Sequence, residues 1–215
     1  MLGHNNGPPI GDITDVGGLM RQYCWRKAHK KAWRTPPIEI AKLRSRAAEQ
    51  LGLSYRDYSS ILMDRGHRPR AIFFGLGGTL VRTRNNEMGA DRDGAAILMP
   101  GVREKLRRLG ECALFIIAEG THAPETVGRH IHQLNQACGG RIIDHMICNA
   151  LDSVGRMRKP EPAMISHLLV KHGIPPSQAF LVGDTAEDEK CADEAKLARF
   201  FWAWHYFAES TMAQA

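Results

Sequence analysis

An apolar run that breaks into glycines, Ala71-Ile-Phe-Phe-Gly-Leu-Gly-Gly-Thr-Leu-Val81, constrains the fold of this chain more than any other stretch. Strands of a parallel sheet read as continuous hydrophobic runs because helices cover both faces. Glycines at the end of such a strand let the backbone approach a ligand closely. The run therefore predicts a central strand whose carboxyl end opens into a site, where open α/β sheets keep their ligands. Ala113-Leu-Phe-Ile-Ile-Ala118 and Ala179-Phe-Leu-Val-Gly-Asp184 repeat the pattern, with Arg141 to Cys148 and Leu197 to Trp204 as further strands. Between them lie helical segments: Val102 to Leu109 closed by Gly110, Ala123 to Cys138 with Val127, Ile131 and Leu134 in register, and Pro162 to His172 stopped by Gly173. Strands alternating with helices predict an α/β fold, a parallel sheet in a three-layer, Rossmann-like arrangement. Arg82 to Leu98 has little periodicity and reads as a loop or short flap, and Phe207 to Ala215 as a short tail.

The sheet begins near residue 69, so residues 69–215 form the main domain. Residues 1–18, rich in Gly, Asn and Pro, read as a flexible tail. Residues 19–68 read as a basic helical extension. Its first helix runs from Leu19 to about Trp33, with Trp25 and Trp33 on similar faces, and its second from Ile38 to Leu51, closed by Gly52. Ser54 caps a third, Tyr55 to Asp64, which Gly66 closes. Between Arg21 and Arg46 the only acid is Glu39, set among many Lys and Arg, so much of the net charge of +6 belongs here. The small residue, turn glycine and apolar spacing of Ala48, Gly52, Tyr58 and Ile61 fit a helix-turn-helix. Residues 19–65 are thus a candidate nucleic-acid contact; an αα-hairpin packed on the main domain is the plainer reading.

No apolar run approaches the roughly 20 residues of a membrane helix, and Met1 to Asp12 lacks the apolar centre of a secretory signal. The expectation is a cytoplasmic protein with no membrane partner. Cys24, Cys112, Cys138, Cys148 and Cys191 are scattered and never form Cys-x-x-Cys, which argues for reduced thiols. His145 and Cys148 are too few for a closed tetrahedral zinc site. His130 and His132, two apart on a helix, point to different faces and read as packing or surface residues.

Three short motifs carry the chemistry: Gly75-Leu-Gly77-Gly78-Thr79-Leu-Val81, Arg158-Lys159-Pro-Glu-Pro162 and Gly183-Asp184-x-x-x-Asp188. With the Pro100-Gly101 that opens a helix, they resemble the haloacid dehalogenase (HAD) superfamily of phosphatases. The nearest likeness is its capless branch of histidinol-phosphatase and heptose-bisphosphate phosphatase. The resemblance covers about residues 70–207. It implies that position 75 would hold the nucleophilic aspartate and position 77 the general acid, and that Lys159 would neutralise nucleophile and phosphate. Asp184 and Asp188 would hold magnesium with the Gly77 carbonyl, and a Thr or Ser at position 118 would grip the phosphate.

The chain departs from that pattern: Gly75, Gly77 and Ala118 stand at three of those positions. Positioning carries much of phosphoryl transfer, yet an attacking oxygen is still required. Removing a nucleophile typically costs on the order of a millionfold in turnover. The expectation is a pseudoenzyme of hydrolase descent, with catalytic-type residues Lys159 and Asp184 left over. Phosphate, or a phosphorylated small molecule, would bind at Lys159 and the backbone N–H groups of Gly77, Gly78 and Thr79. Magnesium would be weak or lost, because Asp184 and Asp188 are the remaining charged ligands. The alternatives are a still active magnesium-dependent phosphohydrolase in which water attacks directly, and a nucleic-acid-binding or regulatory protein. Glu119 is a weaker candidate for base or ligand, and Thr121 for the phosphate-gripping hydroxyl.

Overall fold

The computed structural model describes residues 36–84, 87–88, 96–120, 124–149 and 159–208, together with isolated positions between 20 and 30. Two helices, α1 (Ile38–Gln50) and α2 (Tyr55–Arg65), precede β1 (Ala71–Gly75). A two-stranded hairpin, β2 (Thr83–Arg84) and β3 (Glu87–Met88), leads to α3 (Val102–Arg108) and β4 (Ala113–Gly120). Then come α4 (Pro124–Ala137), β5 (Ile142–Asn149), α5 (Ala163–Lys171), β6 (Ala179–Gly183), α6 (Ala186–Glu194), β7 (Arg199–Trp202) and α7 (Ala203–Ala208). Five strands form one sheet in the order β5-β4-β1-β6-β7, every pairing parallel.

Every residue of β1 and of β6 is buried, as their unbroken apolar sequences require. Side chains alternate across the sheet. Ile72, Phe74, Leu114, Ile116, Phe180 and Val182 point to one face, where they meet α1, α2, α3, α4 and α7 through residues such as Ala48, Tyr58, Leu106, Ile131 and Phe207. Ala71, Phe73, Phe115, Ile117 and Leu181 point to the other, against Met164, Ile165 and Leu168 of α5 and Cys191 and Ala192 of α6. This is the three-layer α/β architecture expected from the sequence. Each large side chain so buried contributes about 1.5–3 kcal/mol, so β1, with four of its five residues apolar, anchors both layers.

The helical hairpin belongs to that core. Ser54 accepts a hydrogen bond from the Asp57 N–H, and Gly66 ends α2 in the left-handed conformation at φ 72°. Ala48, Leu51, Leu53, Tyr58 and Ile61 pack into the same cluster as Ile72 and Phe74, and the Tyr206 hydroxyl donates to the Leu51 carbonyl at 2.9 Å. The αα-hairpin packed on the main domain is therefore what residues 38–65 form. The tail of residues 1–18, Trp25, Trp33 and most of the first expected helix lie outside the described residues.

Two segments differ from the sequence reading. The last strand is shorter, Arg199–Trp202, and the chain turns at once into α7. The reason is packing: Tyr206 and Phe207 are buried, and both rings lie against Phe74. Residues 82–98 are not wholly irregular, since they contain the β2–β3 hairpin and Val81 bridges Leu98.

Candidate functional site

The carboxyl ends of β1, β4 and β6 bring Gly75, Glu119 and Gly183-Asp184 to one edge of the sheet. The strand order runs from β1 outward through β4 to β5 and then returns to β6 on the other side of β1, which makes this end of β1 the kind of switch point at which open sheets bind ligands. The loop after β1 is tight. Leu80 and Val81 donate their N–H groups to the Leu76 carbonyl, and Gly78 donates its own to the Val81 carbonyl at 2.8 Å. Gly78 has φ 73°, and a Cβ there would stand 1.9 Å from Asp184 Oδ2, so both conformation and contact demand glycine. Gly77 is exposed, whereas Thr79 is fully buried.

Thr79 is the hinge between the two halves of the site. Its hydroxyl donates to Asp184 Oδ1 at 2.8 Å. Asp184 is exposed as a residue, but partial desolvation of its carboxyl pushes it above its ordinary range; the Thr79 hydrogen bond opposes this, the charge of Asp188 adds to it, and the charge of Lys159 opposes it. The loop of β1 and the loop of β6 are thereby tied together by side chains.

Asp188 sits in the first turn of α6 and is fully buried. Its Oδ2 accepts from the Asp184 and Thr185 N–H groups, each at 3.2 Å, and from the Thr185 hydroxyl at 2.8 Å. The Thr185 hydroxyl in turn accepts from the Asp188 N–H, a capping box that satisfies donors at the start of α6. The other oxygen, Oδ1, lies 2.6 Å from Lys159 Nζ. Lys159 itself is largely buried, its side chain 12% exposed. The Lys159 N–H donates to Glu119 Oε1, which fixes the loop carrying the lysine to the end of β4. Lys159, Asp184, Asp188, Gly77, Gly78 and Thr79 thus converge, as does Gly75, where an added Cβ would lie 3.0 Å from Thr79 Oγ1 and 3.8 Å from Asp188 Oδ1.

Two of these relations escaped the sequence reading. Glu119 is more than a solvated acid, since it holds the lysine loop; only its place just past the β4 apolar run hinted at this. The capping box was legible as Thr185-x-x-Asp188, but the Asp-x-x-x-Asp spacing drew attention to metal binding instead. Ala118 is buried at the end of β4, and Thr121 lies outside the described residues. His130 is buried and His132 exposed; His145 is exposed and Cys148 buried.

Both oxygens of Asp188 are occupied, one by three donors and the other by Lys159, and Asp184 Oδ1 is held by Thr79. Among the described residues, His, Cys, Asp and Glu nowhere gather in threes that could hold a metal. What remains is Asp184 Oδ2 and backbone carbonyls, a poor set for a cation that prefers near-octahedral oxygen coordination.

A parallel sheet in three layers with this loop, lysine and acid pair defines a class of phosphatase-like α/β proteins. Residues 45–201 match the haloacid dehalogenase-like hydrolase family, and the chain belongs to it. Among solved structures it resembles D,D-heptose 1,7-bisphosphate phosphatase from B. bronchiseptica, solved with magnesium and phosphate. The TM-score is 0.54 at 16% identity over 60% of this chain and 78% of that one. It also resembles a protein from Mesorhizobium loti assigned as a HAD-like phosphatase, with a TM-score of 0.52 at 16% identity over 62% of this chain and 71% of the other. At such identities the likeness shows the fold. No curated protein matches the sequence. No helix among the described residues is long and apolar enough to cross a membrane.

Proposed function

We propose that this chain is a phosphatase-fold protein that has lost phosphoester hydrolysis by the family's covalent route and keeps a weak site for phosphate or a phosphorylated small molecule. One observation carries the reading. Gly75 stands at the nucleophile position, and the groups around it have closed on one another: Lys159 on Asp188, Thr79 on Asp184. A glycine offers no oxygen to attack phosphorus, and a lysine already paired at 2.6 Å offers less charge to an incoming phosphate.

The charges near the site favour weak binding. The Lys159 ammonium is paired with Asp188 and lies in the field of Asp184, while its backbone N–H meets the Glu119 carboxylate. Among the loop donors the Gly78 N–H is already given to Val81, which leaves those of Gly77 and Thr79. Phosphate would therefore rest on two backbone donors and on whatever charge Lys159 can share. Magnesium, through Asp184 and the Gly77 carbonyl, with Asp188 behind them, would be weak for the reasons given above. Were it bound, it would supply charge neutralisation at the phosphate.

The test is turnover of a generic aryl phosphate with magnesium, together with a phosphate titration followed at the amides of residues 75–79. The proposal expects no turnover above background and a small, saturable shift in the millimolar range of phosphate. Turnover in the unmodified chain, abolished by Asp184→Ala, would replace it with the reading of a direct attack by water. A duplex bound in a steeply salt-dependent way through residues 19–65 would point instead to a nucleic-acid role.

A further inference from the structure

We propose that the cleft at the amino-terminal end of the sheet, at the opposite pole from Gly75 and Lys159, is a second binding site, for a phosphate-bearing small molecule. It lies where Ala71 and Ala113 begin the paired strands β1 and β4. Four residue steps of β1 separate this end from Gly75, or about 13 Å along the strand. The cleft encloses about 770 Å³, within the roughly 300–1,000 Å³ of small-molecule sites.

Its lining is cationic. His67, Arg68, Arg70 and His172 face it, with Glu111 as the single carboxylate and Cys112 beside them. Burial pushes the Cys112 thiol up to about 11, against the fields of Arg141 and Arg68, so it adds no negative charge. Two guanidinium groups therefore stand against one carboxylate, with the His67 imidazole beside them. Among the described residues neither Arg68 nor Arg70 is ion-paired. Arg68 donates from Nη2 to Gln50 Oε1 at 2.8 Å, a neutral acceptor that steers the guanidinium without cancelling its charge.

The backbone under these side chains is fixed. The Arg70 N–H donates to the Gln178 carbonyl at 2.7 Å, and its carbonyl accepts from the Ala113 N–H at 2.9 Å. The Arg70 side chain is thus presented from the first rung of the sheet, not from a free loop. On the far wall, His172 Nε2 lies 2.9 Å from Asp144 Oδ2, which Lys171 also meets at 2.6 Å. The Asp144 carboxylate holds one nitrogen of the imidazole, and the ring packs tilted against Phe115 with centroids 4.9 Å apart.

A concave surface with an excess of one sign of charge focuses its field on a ligand of the opposite sign. Paired guanidinium forks match the oxygens of a phosphate, which accept two hydrogen bonds from each fork. The space exceeds what inorganic phosphate fills, so the class is a phosphorylated small molecule. The placement of the arginines, the volume and the absence of a compensating acid for the second arginine together carry this assignment. It is independent of any reading of the Gly75 site.

The experiment uses the full chain labelled for amide NMR and titrated with inorganic pyrophosphate at constant ionic strength. The expected result is a saturable shift of the amides of residues 67–70, 111–113 and 172–174. Arg70→Ala and Arg68→Ala each weaken binding about tenfold, as loss of a charge-assisted contact does, and Arg70→Lys weakens it less. Both arginine side chains are exposed, so these variants keep the fold, which their unfolding temperatures verify. Asp184→Asn leaves the shift at residues 67–70 in place, which separates this cleft from the other site. No binding up to about 10 mM, shifts confined to residues 75–79, or an affinity unchanged in both arginine-to-alanine variants would each overturn the proposal.

Discussion

Replacing Lys159 by methionine isolates the ion pair on which the closed site depends. Lysine Nζ lies 2.6 Å from Asp188 Oδ1, with the two side chains 12% and 1% exposed. At an effective dielectric constant near 20 the gross attraction at that distance is about 6 kcal/mol, but much of it offsets the desolvation of both ions. The useful quantity is the cost of stranding Asp188. Breaking a buried pair by removing one partner costs about 3–5 kcal/mol. Here Asp188 Oδ2 keeps its donors from Thr185 and Asp184, which puts the expected loss at the lower end, about 3 kcal/mol. Methionine conserves most of the volume, so the cavity contribution is small. For a chain of this size each kcal/mol moves Tm by about 2–4 °C, so Lys159→Met should melt about 6–12 °C lower. Urea and thermal unfolding of Lys159→Met, Asp188→Asn and the double variant measure this, and salt should change it little because the pair is buried. The double variant should recover about 2 kcal/mol relative to the sum of the singles. A folded Lys159→Met that loses under about 1 kcal/mol, or strictly additive variants, would refute the reasoning.

Gly78→Ala should cost more than about 1 kcal/mol, because φ is 73° and the new Cβ would overlap Asp184 Oδ2; chemical denaturation reads it, and a neutral result would mean the loop relaxes freely. Asp144 gives a pH prediction. Burial raises its carboxyl, but hydrogen bonds from Lys171, His172 and the His145 N–H outweigh that and hold it well below the usual carboxylate range. A depressed carboxylate stabilises above its unfolded value, near 4, and the contribution fades as pH falls toward the folded one. Asp144→Asn should therefore cost about 1 kcal/mol at neutral pH, discounted for the exposed Lys171. The gap from the unmodified chain should narrow progressively below pH ~4; a gap independent of pH would contradict it. Magnesium at a few millimolar should raise Tm of the unmodified chain by no more than about 1 °C, as weak binding requires, and a shift of several degrees would restore a real metal site.

Much of the fold was legible because the strands are buried on both faces. Ala71 to Gly75 and Ala179 to Gly183 could only be internal strands, and their glycine ends marked the site. The caps at Ser54 and Gly66 were readable for the same local reason: each residue type does there what few others can. What stayed hidden rests on contacts far apart in sequence. Nothing in Glu119 announces that it will hold the Lys159 loop 40 residues later, and Thr79 meets Asp184 across 105 residues. Asp188 shows the limit of motif reading, since its spacing suggests a metal ligand while its oxygens cap α6 and neutralise Lys159. Helix α7 was missed because its register is set by the aromatic surface of Phe74, not by local periodicity.

The central claim, that the missing carboxylate at position 75 is what separates this chain from a working phosphatase of its family, is tested most directly by Gly75→Asp. Aryl-phosphate turnover with magnesium would be compared in that variant and in the unmodified chain. The new Cβ must be accommodated against Thr79 Oγ1 at 3.0 Å, and the new carboxylate would stand near Asp188 and Lys159, where it supplies both an attacking oxygen and a missing metal ligand. The account predicts no measurable turnover without the substitution and magnesium-dependent turnover with it, reduced by the absent acid at Gly77. Equal turnover in both forms, abolished by Asp184→Ala, would contradict the account, because hydrolysis would then proceed without a residue at position 75 to attack.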